Sequence, residues 1–295
     1  VNDQVDITFS PAPQVDAGMD DSYCANNAEV GLNGSVLGAG GGQWTGGLGS
    51  YSPNSQTLNA TYTPSQEEIN NGFVTLTLTS TNNATCLAEE DQVTFTFTPA
   101  PTVDAGLNQS LCSNNAEASL TGTVTVATGA QWSGGDNPFT PNANSLNVTY
   151  QPSAAEIASG SVRLYLTSTG NVNCNAVQDS VLLSFTASPT ANAGSDITVC
   201  ANNAEVSLNG QVTVAGGGVW SGGAGLFSPN PQTLNATYQP TPAEINSGGI
   251  TLTLTTTNPG TCLNVSDQVD ITFSPAPQVD AGMDDSYCAN NAEVG

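Results

Sequence analysis

Seven cysteines are the most reactive side chains in this sequence, and their spacing is regular. Cys24, Cys112, Cys200 and Cys288 follow one another at 88-residue steps. Cys86, Cys174 and Cys262 form a second series with the same step. Zinc sites built on cysteine draw on closely spaced Cys and His, and the chain holds no histidine. Widely spaced, regularly paired cysteines instead predict disulfides, and with them an oxidising compartment. One cysteine of seven is left over. Cys288 reads as a residue whose partner lies outside the sequence; a reactive free thiol is the other reading.

Little other chemistry is available. With no His, no Lys and one Arg, Arg163, most acid–base and nucleophile-activating sets cannot be assembled, and the chain is read as a non-enzyme. Missing Lys also excludes Lys–Asn isopeptide cross-links. Paired acids such as Glu67/Glu68 and Glu89/Glu90/Asp91 are taken as surface groups, because matching positions 88 residues on are mostly not acidic. Acids ahead of the first cysteines are more regular: Asp16, Asp20 and Asp21, Asp104, and Asp280, Asp284 and Asp285, with Asn192 and Asp196 in between. Oxygen-only clusters of this kind are candidate Ca²⁺ ligands; solvated acids are the competing reading. No other cofactor is expected. "GAGGGQWTGG" (38–47) lacks the Lys of a phosphate loop, and its glycines are assigned to turns and close packing around Trp44. Asn59, Asn147 and Asn235 stand in N-x-T triplets read as an outward ladder. "DSV" (179–181) matches a short bacterial O-glycosylation motif and occurs in one unit.

The net charge is −24. Such a surface repels phosphate, so nucleic acid is not expected as a partner and anionic membranes are poor ones. No apolar run approaches the roughly 20 residues of a membrane-spanning helix.

The 88-residue step governs the whole chain. Trp44, Trp132 and Trp220 obey it, as do Tyr62, Tyr150 and Tyr238, and residues 3–31 are identical to 267–295 at three times the step. Pro-rich joints, "SPAPQV" (10–15), "TPAPTV" (98–103), "ASPTAN" (187–192) and "SPAPQV" (274–279), set the frame. It predicts repeats at 14–101, 102–189 and 190–277, the last strand of a preceding repeat at 1–13, and the start of a following one at 278–295. The chain is thus expected to be a stretch of a longer tandem array.

Within a repeat, alternation marks the strands. In "FVTLTLTST" (73–81) Val74, Leu76 and Leu78 share one face and threonines the other. In "DQVTFTFTP" (91–99) Val93, Phe95 and Phe97 do the same, so the two runs predict a hairpin. Val162, Leu164 and Leu166, then Ile250, Leu252 and Leu254, repeat the pattern, with Arg163 on the wet face. "PSQEEINNG" (64–72) has a capping-box spacing, Ser65 to Glu68, and a terminal Gly72, which predict one helical turn. Seven short strands in about 90 residues predict an all-β chain of immunoglobulin-like sandwiches in an extended rod. The Trp and Tyr series are assigned to the cores.

That frame predicts the pairs Cys24–Cys86, Cys112–Cys174 and Cys200–Cys262, each stapling one sandwich at one end. Each closes about sixty residues, worth roughly 4 kcal/mol by chain entropy. Cys86–Cys112 is rejected because a nine-residue strand, about 30 Å long, separates them.

"VDAGMDDSYCANNAEVGLNGSV", "WTGG", "YTPSQEEINNG", "VTLTLTST" and "VTFTFTPAP", in that order, resemble the PKD-like and immunoglobulin-like tandem repeats of giant surface proteins of gliding Bacteroidota, the SprB-type adhesins. The resemblance implies type IX secretion, attachment at the outer membrane, and a filament moved by the gliding machinery. The expected function is therefore structural and adhesive. Its partners would be neighbouring repeats, an external surface or polysaccharide, and secretion machinery reached through other regions. A carbohydrate-binding module and a passive spacer are the alternatives.

Overall fold

In the computed structural model, which describes residues 3–284 and 286, the chain is built of strands and three six-residue helices. One set of elements recurs at 88-residue steps, and the first set stands for all. It comprises β1 (Gln14–Asp16), β2 (Asp21–Cys24), β3 (Val30–Gly31), β4 (Ser35–Leu37), β5 (Gly41–Thr45), β6 (Ser50–Ser52), β7 (Thr61–Thr63), α1 (Gln66–Asn71), β8 (Phe73–Thr81) and β9 (Glu90–Thr98). The corresponding last strands further on are Gln178–Thr186 and Ser266–Ser274.

Two sheets face each other. One has the order β2-β9-β8-β5 and the other β3-β7-β6, with β1 and β4 as a small separate ladder. The predicted hairpin is β8–β9, antiparallel, with Leu76 opposite Val93 and Val74 opposite Phe95. Their apolar faces point inward: Val74, Leu76, Leu78, Val93, Phe95 and Phe97 are all buried. β5 adds Trp44 opposite Leu78. Residue alternation thus fixes which face of each strand is dry. Arg163 is exposed, as expected, and bonds Ser180 Oγ at 3.0 Å.

The six aromatic residues assigned to the cores are there. Trp44, Trp132 and Trp220 are 1–2 % exposed, and Tyr62, Tyr150 and Tyr238 are fully buried. Each indole N–H donates to a backbone carbonyl fourteen residues on, Leu58, Leu146 and Leu234, at 3.0–3.3 Å. Gly34 lets the indole in: a Cβ there would stand 2.7 Å from Trp44 Cζ2 and from Leu78 Cδ2. Nine strands form where seven were expected, in part because the first edge strand is broken in two. β1 pairs with β4, then the chain crosses over and β2 joins the other sheet beside β9.

The helical turn forms as predicted. Ser65 Oγ accepts from Glu68 N, Glu68 returns the bond to Ser65 N, and Gly72 closes the turn at φ 85°. Gly72 is needed in that left-handed conformation.

Residues 3–13 form no strand, contrary to expectation. Their twin, 267–277, supplies the strand Ser266–Ser274, paired with Gly249–Thr257. The chain divides into two compact units, one with residues 3–109 and 117–184, the other with 110–116 and the described residues from 185 on. Within the second unit, the seven residues around Cys112 are fastened by a disulfide to a loop 150 residues away.

Candidate functional site

The disulfides are Cys24–Cys174 and Cys112–Cys262, each with Cα atoms 5.0 Å apart and 150 residues apart in sequence. The predicted pairs Cys24–Cys86 and Cys112–Cys174 are therefore wrong, and Cys200 and Cys86 are free thiols. The error lies in the sense of one strand. β2 runs parallel to β9, with Cys24 beside Thr98 at the far end of the strand. Cys86 precedes the near end at Glu90. Eight residues of strand, about 26 Å, hold the two apart. The argument that rejected Cys86–Cys112 applies equally to Cys24–Cys86. The predicted Cys200–Cys262 fails likewise, because Cys262 is taken by Cys112. Cys288 lies outside the described residues.

Cys24, Cys112 and Cys200, the described cysteines of the first series, each sit in a hook. In the first, Ala25 N donates to Thr98 O at 2.9 Å, and Asn27 N donates to Cys24 O at 2.8 Å, so the chain turns sharply after β2. Two asparagines then project. Asn26 Nδ2 donates to Asn175 O at 3.0 Å and Asn27 Nδ2 to Asn173 O at 3.1 Å. Asn175 N donates back to Asn26 Oδ1 at 3.0 Å. The loop around Cys174 is thus gripped on both sides of the sulfur through its backbone. Asn114 and Asn115 do the same to Leu263 and Thr261 at 3.1 Å. Backbone recognition explains why the gripped loops differ in sequence, "NVNCNA" against "PGTCLN", while the hooks read "CANN", "CSNN" and "CANN". Those asparagine pairs escaped the sequence reading. Their recurrence directly after each first-series cysteine was the available signal.

Cys24 and Cys112 are completely buried. Pro99 O lies 3.9 Å from Cys24 Sγ and 4.0 Å from Cys174 Sγ, so the Pro-rich joint lines the disulfide.

The joint acids, read as candidate Ca²⁺ ligands, serve the backbone. Asp16 Oδ1 accepts from Gly18 N, Asp104 from Gly106 N and Asp280 from Gly282 N, all at 2.8 Å; Asn192 accepts from Gly194 N at 2.9 Å. Asp20 accepts from Thr94 N, as Asn108 does from Leu182 N. Asn replaces Asp in both series, so the role is acceptance and charge is incidental to it. Asp21 accepts from Ser22 N. Asp284 lies in a stretch without regular structure, and Asp285 lies outside the described residues. Among the described residues no three acids or cysteines converge as a metal site would require.

Two acids taken as surface groups are structural. Asp91 Oδ2 accepts from Ala17 N at 2.7 Å, and Asp179 and Asp267 repeat the bond to Ala105 and Ala193 at 2.8 Å. These bonds pin the point where the edge strand crosses between sheets. Glu68 is 5 % exposed. Its Oε1 accepts from Tyr62 Oη at 2.7 Å and Leu48 N at 2.8 Å, and its Oε2 from Ser65 N at 2.7 Å. Glu156 and Glu244 hold the same place.

Burial alone would raise the Glu68 carboxyl, but the bonds from Ser65, Leu48 and Tyr62 outweigh it and the carboxyl is lowered. Burial, then the bond to the glutamate, pushes Tyr150 and Tyr238 up to about 12. The sign follows. Lowered glutamates contribute stability above the ordinary carboxylate range, and that part is lost as pH falls through it. Raised tyrosines contribute below their usual value of 10, and their part is lost as pH climbs toward about 12. Glu68→Gln is expected to cost about 1–3 kcal/mol at neutral pH, since it breaks a charged, buried set of bonds. It should also flatten the acid limb of stability against pH. Urea titrations from about pH 3 to pH 7 check this, and an unchanged slope would refute the assignment.

Neither a family model nor a curated protein matches the chain. Among solved structures it is similar to the titin I-band fragment I67–I69, at 11 % identity and TM-score 0.44, covering 90 % of this chain and 99 % of that one. It is also similar to mouse cadherin-23 EC22-24, at 12 % identity and TM-score 0.39, with the same coverage. A third is protocadherin gamma B2 domains 3–6, at 11 % identity and TM-score 0.35, covering 90 % and 73 %. By its own topology the chain is a tandem of immunoglobulin-like β-sandwich repeats joined by disulfides from one repeat to the next.

Proposed function

We propose that this chain is a load-bearing structural and adhesive repeat region of a long extracellular surface filament. The observation that carries the reading is the overlap of the staples. Cys24–Cys174 and Cys112–Cys262 share residues 112–174, so each covers the joint that the other leaves. Disulfides that join neighbours, rather than the two sheets of one sandwich, serve continuity of the strand of repeats. In series, such repeats set reach and carry tension from one end to the other. The asparagine hooks, buried sulfurs and Pro-rich joints all lie where one repeat meets the next, which supports the reading. The Trp44, Trp132 and Trp220 series and the Tyr62, Tyr150 and Tyr238 series are buried and offer no platform for sugar stacking. In its finer form the proposal is a gliding-motility adhesin of the SprB type. It would be secreted by the type IX route, attached at the outer membrane, and moved along the cell to pull on a substratum.

Intact cells that make the protein test it. An antibody against this chain should label them without permeabilisation. Mild reduction should leave the label in place and cut resistance to detachment by shear several-fold. Label that needs permeabilisation, or shear resistance indifferent to reduction of the staples, would overturn the proposal.

A further inference from the structure

Arg163 is the one cationic side chain in a chain with 25 acids. It is exposed on the outer face of the second repeat. Among the described residues its polar partner is Ser180 Oγ, at 3.0 Å, and no carboxylate pairs with it. Its neighbours are as distinctive. Tyr165 lies on the same face two residues on, and Leu182 stands directly opposite Arg163 on the next strand; both are half-buried. Asn108 borders them, accepting from Leu182 N at 2.8 Å. At these four places the first repeat has Thr75, Thr77, Thr94 and Asp20, and the third has Thr251, Thr253, Asp270 and Asp196. The three repeats share strands, hairpins and cores, so the fold itself does not require Arg, Tyr and Leu on that face. Together these residues have the composition of a protein interface, in which Arg and Tyr are enriched and acids depleted. The third repeat carries the opposite charge. Asp270 and Asp196 are both exposed, and Asp196 Oδ1 accepts from Asp270 N at 3.0 Å, so two carboxylates stand close together.

We propose that the Arg163 face of one copy of this chain docks on the Asp270 face of a second copy, sheet against sheet, and so joins chains laterally. Strand register sets the fit. Arg163 is opposite Leu182 as Thr251 is opposite Asp270, and Tyr165 is opposite Ser180 as Thr253 is opposite Gln268. A half-turn about an axis along the strands brings the two faces together and sets the strand Ser161–Thr169 over Ser266–Ser274. Arg163 then faces Asp270, Leu182 faces the methyl group of Thr251, and Tyr165 lies against Gln268. Facing sheets pack about 10 Å apart, a gap that the guanidinium-bearing side chain and the phenol ring can span. Charge selects the occupant. Two like faces would set Arg163 against Arg163, or Asp270 against Asp270, and like-charge contact disfavours both. The pairing is therefore between unlike faces. Two chains of charge −24 repel at long range. At about 0.15 M salt, however, the screening length is about 8 Å, which leaves an ion pair at contact largely intact. One sheet face is about 20 Å on a side by strand spacing and rise. That area belongs to the class of small, transient interfaces, so a single contact is weak and gains strength by repetition along neighbouring chains.

The test uses the full chain with Tyr165→p-benzoylphenylalanine, a photo-reactive ring at the same place. Heavy-isotope-labelled and unlabelled protein are mixed equally, at a concentration on the order of 1 mM to suit a weak contact. Light should join the probe to the strand Ser266–Ser274 in peptides that combine a labelled and an unlabelled chain. Arg163→Glu should lower that mixed yield about tenfold, and Asp270→Arg should do the same. The two substitutions together should return the yield to within about twofold of the parent, because the pair is restored with its signs exchanged. Sedimentation equilibrium of the chain without the probe should rank the parent, the two single variants and the double variant in the same order. That measurement holds even if the probe disturbs the sheet. The proposal is overturned by a yield indifferent to Arg163→Glu, by a double variant as weak as the single ones, or by cross-links confined to single chains. A chain that stays monomeric overturns it as well; polygalacturonate binding that Arg163→Glu weakens would then assign the face to an acidic polysaccharide. None of these outcomes depends on where a cell displays the protein, so this result and the cell-surface test can fail separately.

Discussion

Pulled by its two ends, the oxidised chain should stop extending at roughly 400 Å, and the reduced chain at roughly 1,000 Å, taking about 3.3–3.6 Å per residue. The oxidised limit follows from the shortest covalent route. It runs from residue 1 to Cys24, across to Cys174, back along the backbone to Cys112, across to Cys262 and on to residue 295. That is about 120 residues of a 295-residue chain. Overlap makes the staples non-additive. Breaking one with Cys24→Ser leaves the other to carry the load and lengthens the route by only about 26 residues, on the order of 90 Å. Cys112→Ser does the same by symmetry. Breaking both exposes the full chain and adds on the order of 600 Å. Cys86→Ser should change nothing. Staples confined to single repeats would give equal, additive steps of roughly 200 Å and a clear lengthening from Cys86→Ser. Single-molecule stretching of these four variants separates the two cases, and additive steps would sink the load-bearing reading.

Trp44→Ala should destabilise the first repeat by about 3–5 kcal/mol, the usual cost of emptying a large buried aromatic site. Trp44 is 1 % exposed, packs among Leu78, Leu58 and Tyr62 in one cluster, and donates its indole N–H to Leu58 O. The site cannot close easily. Gly34 on one side and Gly42 on the other already bring backbone close to Leu78, and a Cβ at either would stand within 3.0 Å of its side chain. For a sandwich of this size the loss corresponds to a melting shift of roughly 12–40 °C. Calorimetry of the full chain should show one transition moving while those of the repeats holding Trp132 and Trp220 stay. A shift of all transitions together would show that the staples couple folding as well as load; no shift would mean that the indole is not a core residue.

Much of the repeat could be read from residue order. Val74, Leu76 and Leu78 against alternating threonines gave a strand and its dry face, because side chains of a strand alternate strictly. Ser65, Glu68 and Gly72 gave the helical turn, because capping is a local affair of four to seven residues. The 88-residue series placed Trp44 and Tyr62 in a core. The same local reasoning took Glu68 for a surface acid, since its burial depends on Tyr62 of β7 and on Leu48 in the loop between β5 and β6.

What the order of residues determined about this protein is the repeat, its period, its strands and the faces they bury, all set by interactions a few residues long. Which cysteines meet was decided by tertiary structure alone. β2 lies parallel to β9 because the edge strand crosses between sheets, with Asp91 holding the crossing at Ala17, and this carries Cys24 to the far end of the sandwich. The segment 3–10 makes the point most directly. It forms no strand, while its identical twin 267–274 does, because only the twin finds Gly249–Thr257 beside it to pair its backbone.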